Sequence, residues 1–164
     1  PLGALTARRR PLQDSPTPAG NPTAASALLR LEALSGRNEY RDIAEDTLAT
    51  FSGIVEHFGL YAGSYGLALA RFVSAPVQIV VAGGGPAREE LAATAMAGFS
   101  VNKTVIQVAP EQLSAGKLPP VLEETVLQAP APDGAAAWAL VCRGNTCLPP
   151  VADADALTEA LQAG

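Results

Sequence analysis

The stretch Pro76-Val77-Gln78-Ile79-Val80-Val81-Ala82-Gly83-Gly84-Gly85-Pro86 decides the fold class. Val77, Ile79, Val80 and Val81 are β-branched, and only Gln78 interrupts the apolar run up to Ala82. A run this short, bounded by Pro76 and Gly83, predicts a strand buried on both faces. Ala87 to Gly98 then reads as a helix, and Thr104-Val105-Ile106-Gln107-Val108 as a second strand. Strand, helix and strand in that order predict a β-α-β unit with parallel strands and a right-handed crossover. Residues 110–134 hold five prolines and predict a long connection, with a helical turn around Val121 to Val126. Ala137 to Cys142 reads as a third strand, with Trp138 in the core. Asp153 is the expected cap of a last helix that buries Leu157 and Leu161.

Upstream of Pro76 the apolar spacing is helical. Asn21 is the expected N-cap of a first helix, with Pro22 at its first position, where a missing N–H costs nothing. Ala24, Leu28 and Leu31 make its stripe, flanked by Ala25 and Leu29, and Gly36 ends it. A second helix is expected from Asn38 to Gly59. Tyr40, Ala44, Phe51, Ile54 and Phe58 form its inner face, widened by Ile43, Leu48 and Val55. A third runs from Tyr61 to Ser74, with Leu67, Leu69, Phe72 and Val73 as core positions. The chain thus reads as α/β with N-terminal helices. Residues 1–20 form an extended, proline-marked lead-in, 21–75 a helical part, and 76–164 a small three-stranded α/β domain. Three helices make a small core by themselves, so the helical part is expected to pack against further helices.

Composition narrows the class. Of 164 residues, 48% are hydrophobic and 16% charged, which predicts a packed core. The formal net charge of −5 argues against nucleic acid as a partner. The only basic run is Arg8-Arg9-Arg10. The longest apolar region, Gly66 to Gly85, contains Arg71 and Pro76, so no membrane span is expected. The opening Pro1-Leu2-Gly3-Ala4-Leu5 lacks the basic-then-apolar order of a secretory signal. It also lacks Met, and a truncated or processed product is the expectation. Two cysteines are too few for a disulfide scaffold, so a reducing, cytoplasmic setting is expected.

Three sets of residues invite a chemical reading. Cys142 and Cys147 bracket Arg143-Gly144-Asn145-Thr146, a spacing that lets two thiols meet if their Cα atoms come within about 4.4–6.8 Å. Arg143 would favour a thiolate beside it. The plainer reading makes both cysteines small apolar residues at a strand end. Gly83, Gly84 and Gly85 precede a helix, where free N–H groups and the helix dipole can cradle a phosphate. Arg88 stands where a dinucleotide fingerprint needs its third glycine, and no Walker lysine follows, so the glycines equally serve the turn alone. His57 is the only histidine, which leaves no set of ligands for a metal, and no cofactor is expected. Near a helix end it reads as a favourable dipole contact.

Two separated segments carry a family resemblance. The first is Asp14-Ser15-Pro16-Thr17-Pro18-Ala19-Gly20-Asn21, with Ala24-Ala25, Leu28-Leu29-Arg30-Leu31, Leu34-Ser35-Gly36, Tyr40, Ala44-Glu45 and Leu48 behind it. The second is Val141-Cys142-Arg143-Gly144-Asn145-Thr146-Cys147-Leu148-Pro149-Pro150-Val151, with Asp153 and Leu157. In this order they resemble the C-terminal portion of the thioredoxin-domain family that includes spermatogenesis-associated protein 20. Ala19, Pro22 and Thr23 depart from that family's usual residues. The resemblance implies a longer parent: a thioredoxin-like domain, an α/α barrel of the six-hairpin glycosidase type, and a short α/β tail. This chain would hold the barrel's last helices and the tail, and its partners would be the missing thioredoxin-like and barrel portions. The expected role is structural completion of the barrel and cap, without independent catalysis. In such a barrel Asp14, Gly20 and Asn21 would line the cavity and touch a sugar-like ligand. The first alternative is therefore part of a carbohydrate-active, hydrolase- or epimerase-like enzyme. The second is a redox-active module, or a redox partner of the thioredoxin-like domain, acting through Cys142 and Cys147.

Overall fold

The computed structural model describes residues 10–129 and 131–163. Most of the predicted lead-in's first half, with Arg8 and Arg9 of the basic run, lies outside the described residues. The described residues form a mixed α/β structure, with six α-helices and a four-stranded sheet. Its residues gather into two compact units. Among the described residues, one takes in residues 10–32 and Arg37–Val73, and the other Ala33–Gly36 and the residues from Ser74 on.

The first unit is helical. It contains most of α1 (Gly20–Ser35), then α2 (Asn38–Phe51), a 3-10 segment (Val55–Ala62) and α3 (Gly63–Val73). Its core joins Leu12, Ala25, Leu29, Ala44, Leu48, Phe51, Ala62, Tyr65 and Ala68. The spacing 25/29, 44/48/51 and 65/68 is one narrow face per helix. That phase differs from the sequence reading at several positions. Ala24 and Leu31 are exposed on α1, Ile43 on α2, and Leu67, Leu69 and Val73 on α3. Small residues and Tyr65 take the inner positions on α3 instead, with Phe72 packed beside them.

The expected long second helix stops at Phe51. Thr50 and Ser52 turn their hydroxyls back onto the carbonyls of Asp46 and Ala49, and Gly53 follows. Such side-chain bonds compete with continuation of the helix. The chain then tightens into the 3-10 segment, which returns Val55 and Phe58 to the core and leaves Ile54 exposed.

The second unit is built on β1 (Val77–Gly83), α4 (Gly85–Ala97), β2 (Lys103–Val108), α5 (Pro120–Gln128), β3 (Ala137–Arg143), β4 (Thr146–Cys147) and α6 (Ala154–Gln162). The strand order is β2-β1-β3-β4. β1 runs parallel to β2, in register Val77 with Lys103, and antiparallel to β3, in register Val80 with Leu140. The β-α-β unit of the sequence reading is therefore present. The predicted three strands become four, because a tight turn at Gly144-Asn145 brings Thr146 and Cys147 back onto β3.

Alternation along the central strands makes two cores. Ile79, Val81, Ala139 and Val141 face α4 and α6, where Leu91, Ala92, Ala95 and Leu157 are buried. Val80, Ala82, Trp138, Leu140 and Cys142 face α5 through Leu122 and Val126. β1 is buried on both faces, as its near-continuous apolar run requires. Asp153 caps α6 by accepting the Ala156 N–H at 2.8 Å. Among the described residues no helix is long and apolar enough to cross a membrane.

Candidate functional site

Asp14 is half-buried and fully engaged by its own chain. Its Oδ1 accepts the Ala19 N–H at 2.7 Å and the Ser64 hydroxyl at 2.5 Å, and its Oδ2 accepts the Ser64 N–H at 2.7 Å. Its backbone N–H donates to Tyr61 O. The carboxylate thus caps the start of α3 and fixes the turn into α1. The Ser64 hydroxyl, the Ser64 N–H and the Ala19 N–H hold its pKa below the ordinary carboxylate value, against a small opposing effect of burial. A carboxylate spent on three donors is a poor general acid or base. The sequence offered no sign of Ser64 as its partner, because the two lie 50 residues apart.

Asn21 does not cap α1. The helix begins one residue earlier, at Gly20, and Thr23 bonds back to Ala19 O through both N–H and hydroxyl. Pro22 is therefore inside the first turn, and it is buried. The Asn21 side chain instead donates to Pro11 O at 3.0 Å. It lines a shallow groove of about 260 Å³ with Arg10, Asp46, Thr47 and Thr50. Asp14 and Gly20 do not line this groove.

Gly83 and Gly84 are closely packed, whereas nothing lies within 4 Å of a Cβ built on Gly85. Gly83 has φ 110° at the end of β1, and a Cβ there would lie 2.4 Å from Ala136 O and 2.6 Å from Ala137 Cα. Gly84 donates its N–H to Ala136 O and lies against Pro110. Close approach to β3 and to the Pro110 turn accounts for Gly83 and Gly84, and Gly85 has a φ of 69° that favours glycine. Glu111, which follows β2, is exposed in the 3-10 turn Pro110–Gln112.

Cys142 and Cys147 are joined by a disulfide. They are register partners on β3 and β4, with Cα atoms 4.0 Å apart. The next pair inward, Val141 and Leu148, shares a ladder hydrogen bond from Leu148 N–H to Val141 O. Cys142 and Cys147 therefore occupy the non-hydrogen-bonded pair, where antiparallel side chains come closest. Gly144, with φ 56°, supplies the positive φ that the first central position of a two-residue hairpin turn demands. The plainer expectation of two free thiols is corrected by this pairing. Cys142 is buried, 4% exposed, among Trp138, Leu140 and Val126, whereas Cys147 is exposed.

Arg143 does not sit beside the thiols. It is the next residue on the strand and so points to the opposite face. There its Nη2 donates to Leu161 O at 2.8 Å, near the C-terminus of α6, where a cation complements the helix dipole. The thiolate-stabilising role read from adjacency in sequence is therefore overturned by the pleat of the strand.

His57 is exposed, with Nδ1 3.2 Å from Ile54 O. Among the described residues no three His, Cys, Asp or Glu side chains gather as a metal site. Arg30 and Arg71, to which the sequence reading gave no chemical role, line a cleft of about 430 Å³ with Thr23 and Ser26. Burial, and then the Arg30 charge, lower the Arg71 pKa from its ordinary value. No protein-family model, curated protein or solved structure matches the chain.

Proposed function

We propose that this chain is the C-terminal portion of a thioredoxin-domain, helical-barrel protein like spermatogenesis-associated protein 20. In this reading it completes the barrel and forms the cap, with no catalysis of its own, in a cytoplasmic parent. One observation carries the reading. The helical unit leaves large apolar side chains outside its core: Leu60 is 97% exposed, Val73 71%, Tyr61 62% and Leu67 55%. Side chains of this size on successive elements fit a surface that other helices cover. The occupant that the resemblance supplies is the rest of the barrel in the parent chain.

The polar residues support the same reading. Asp14 and Asn21 bond the chain's own backbone, so they hold segments in place. The carbohydrate-active alternative requires two carboxylates flanking a glycosidic bond, about 5–9.5 Å apart. The groove beside Asn21 is lined by one carboxylate, Asp46, among the described residues.

The test is the behaviour of the chain by itself. It is expected to self-associate in sedimentation and to light up a hydrophobic dye. A monomer that leaves the dye dark sinks the structural reading. For the carbohydrate alternative, a sugar panel is titrated against the full-length parent and its Asp14→Ala and Asn21→Ala variants. Selective loss of binding by both variants would revive that alternative, whereas equal binding leaves the loop structural.

A further inference from the structure

We propose that the Cys142–Cys147 disulfide is a thiol–disulfide exchange site, with Cys147 the sulfur that an incoming thiolate attacks. Four observations point there. The bond joins adjacent strands across a turn of Arg143 to Thr146, with a sequence separation of only 5. Closing so short a loop removes less freedom from the unfolded chain than closing a long one, so the bond contributes less as a staple. The hairpin is also held without it, by the Leu148 N–H to Val141 O bond and by the Val151 pairing with Ala139. β3 itself is anchored along its whole length to β1. Opening the bond therefore leaves the sheet in place.

The two sulfurs also differ in access. Cys147 is exposed and lines a groove of about 610 Å³ with Leu148, Pro149, Pro150 and, from α5, Glu124 and Gln128. Cys142 sits in the core cluster on the α5 side of the sheet. Exchange proceeds by attack of a thiolate on an accessible sulfur, and exposed disulfides are the labile ones.

The step balances as follows. A thiolate of an external thiol bonds to Cys147 Sγ, and the Cys142–Cys147 S–S bond breaks. Cys142 Sγ leaves with the electron pair and takes a proton from water. A second external thiolate then attacks the external sulfur of the mixed disulfide and releases Cys147. The two external thiols are oxidised to a disulfide, and the protein's disulfide is reduced by two electrons. The reductant is thus a pair of thiols or a dithiol.

The experiment uses the oxidised full chain, folded, in excess glutathione at neutral pH. The reaction is quenched with acid, alkylated and mapped by peptide mass. The expected result is glutathione on Cys147, alkylated Cys142, and an unfolding transition retained on reduction. Glutathione on Cys142, or a disulfide that opens only in denaturant, overturns the proposal. So do two free thiols after equilibration with oxidised glutathione. In a parallel measurement, the Cys147 thiol of Cys142→Ala should react with an aromatic disulfide at least about tenfold faster than the Cys142 thiol of Cys147→Ser, because access governs the rate. Equal rates overturn the assignment of the attacked sulfur.

Discussion

Gly83→Ala separates a turn built for close packing from a loop built for a ligand. Gly83 pairs with Ala137 in the β1–β3 ladder, and its φ of 110° lies where L side chains rarely go. Forcing alanine into that region costs about 1–3 kcal/mol. The new Cβ would also meet Ala136 O at 2.4 Å and Ala137 Cα at 2.6 Å. Both atoms are backbone, just before and at the start of β3, so no side chain can swing aside. Relief by strand displacement adds about 1–3 kcal/mol. The expected total, about 4 kcal/mol, is a large share of the roughly 5–15 kcal/mol that holds a domain folded. Gly85→Ala is the internal control. Gly85 has φ 69°, but nothing lies within 4 Å of its would-be Cβ. Only left-handed strain applies there, about 1–2 kcal/mol. The assay is urea unfolding followed by fluorescence of Trp138, the chain's single tryptophan, which sits on β3 next to Ala137. A Gly83→Ala loss no larger than that of Gly85→Ala would refute the close-approach argument.

Three further outcomes follow from the two cores and the Asp14 contacts. Asp14 has a lowered folded pKa, so its contribution is present above its unfolded value of about 3.9 and is lost as pH falls through the folded pKa. Asp14→Asn should therefore flatten the acid limb of the helical unit's stability profile, and an unchanged limb in pH-dependent circular dichroism would contradict this. Tyr65 donates its buried hydroxyl to Leu48 O at 2.9 Å, in the last turn of α2, where carbonyls lack helical partners. Tyr65→Phe should cost about 1–2 kcal/mol in urea unfolding by strand-independent helical signal, and a neutral substitution would show that the carbonyl finds another donor. Leu157 is fully buried against α4 and the sheet, so Leu157→Ala should cost about 2–5 kcal/mol by the same Trp138 assay. A loss below 1 kcal/mol, read against about that lower bound, would mean α6 is not part of the cooperative core.

Much of the α/β half was legible in the sequence because its signals are local. Val77 to Ala82 is short and apolar except at Gln78, and a strand covered on both faces satisfies such a run. Asp153 caps α6 as read, because an aspartate before an apolar-periodic segment needs only its own next turn to act. The helical phases were less legible. On α3 the sequence offers Leu67, Leu69 and Val73 as large apolar residues, yet Tyr65 and Ala68 are inside. Hydrophobicity ranks residues, but the space between helices selects those that fit it. The end of α2 at Phe51 was missed because hydroxyl-to-carbonyl bonds from Thr50 and Ser52 do not alter the apolar period.

The site residues divide along the same line. The sequence by itself determined that Cys142 and Cys147 flank a glycine turn, that Asp14 precedes a proline-marked loop, and that three glycines join a strand to a helix. Tertiary structure decided what each does. Pairing of β3 with β4 brought the two sulfurs into bonding distance and left one of them in solvent. The pleat sent Arg143 to the other face, onto the end of α6. Ser64, far along the chain, claimed the Asp14 carboxylate as a cap. Strand and helix identity depend on neighbours within a few residues, whose side-chain period is written in order. A polar group's role depends on which distant donor, face or solvent it meets, and only the packed chain fixes that.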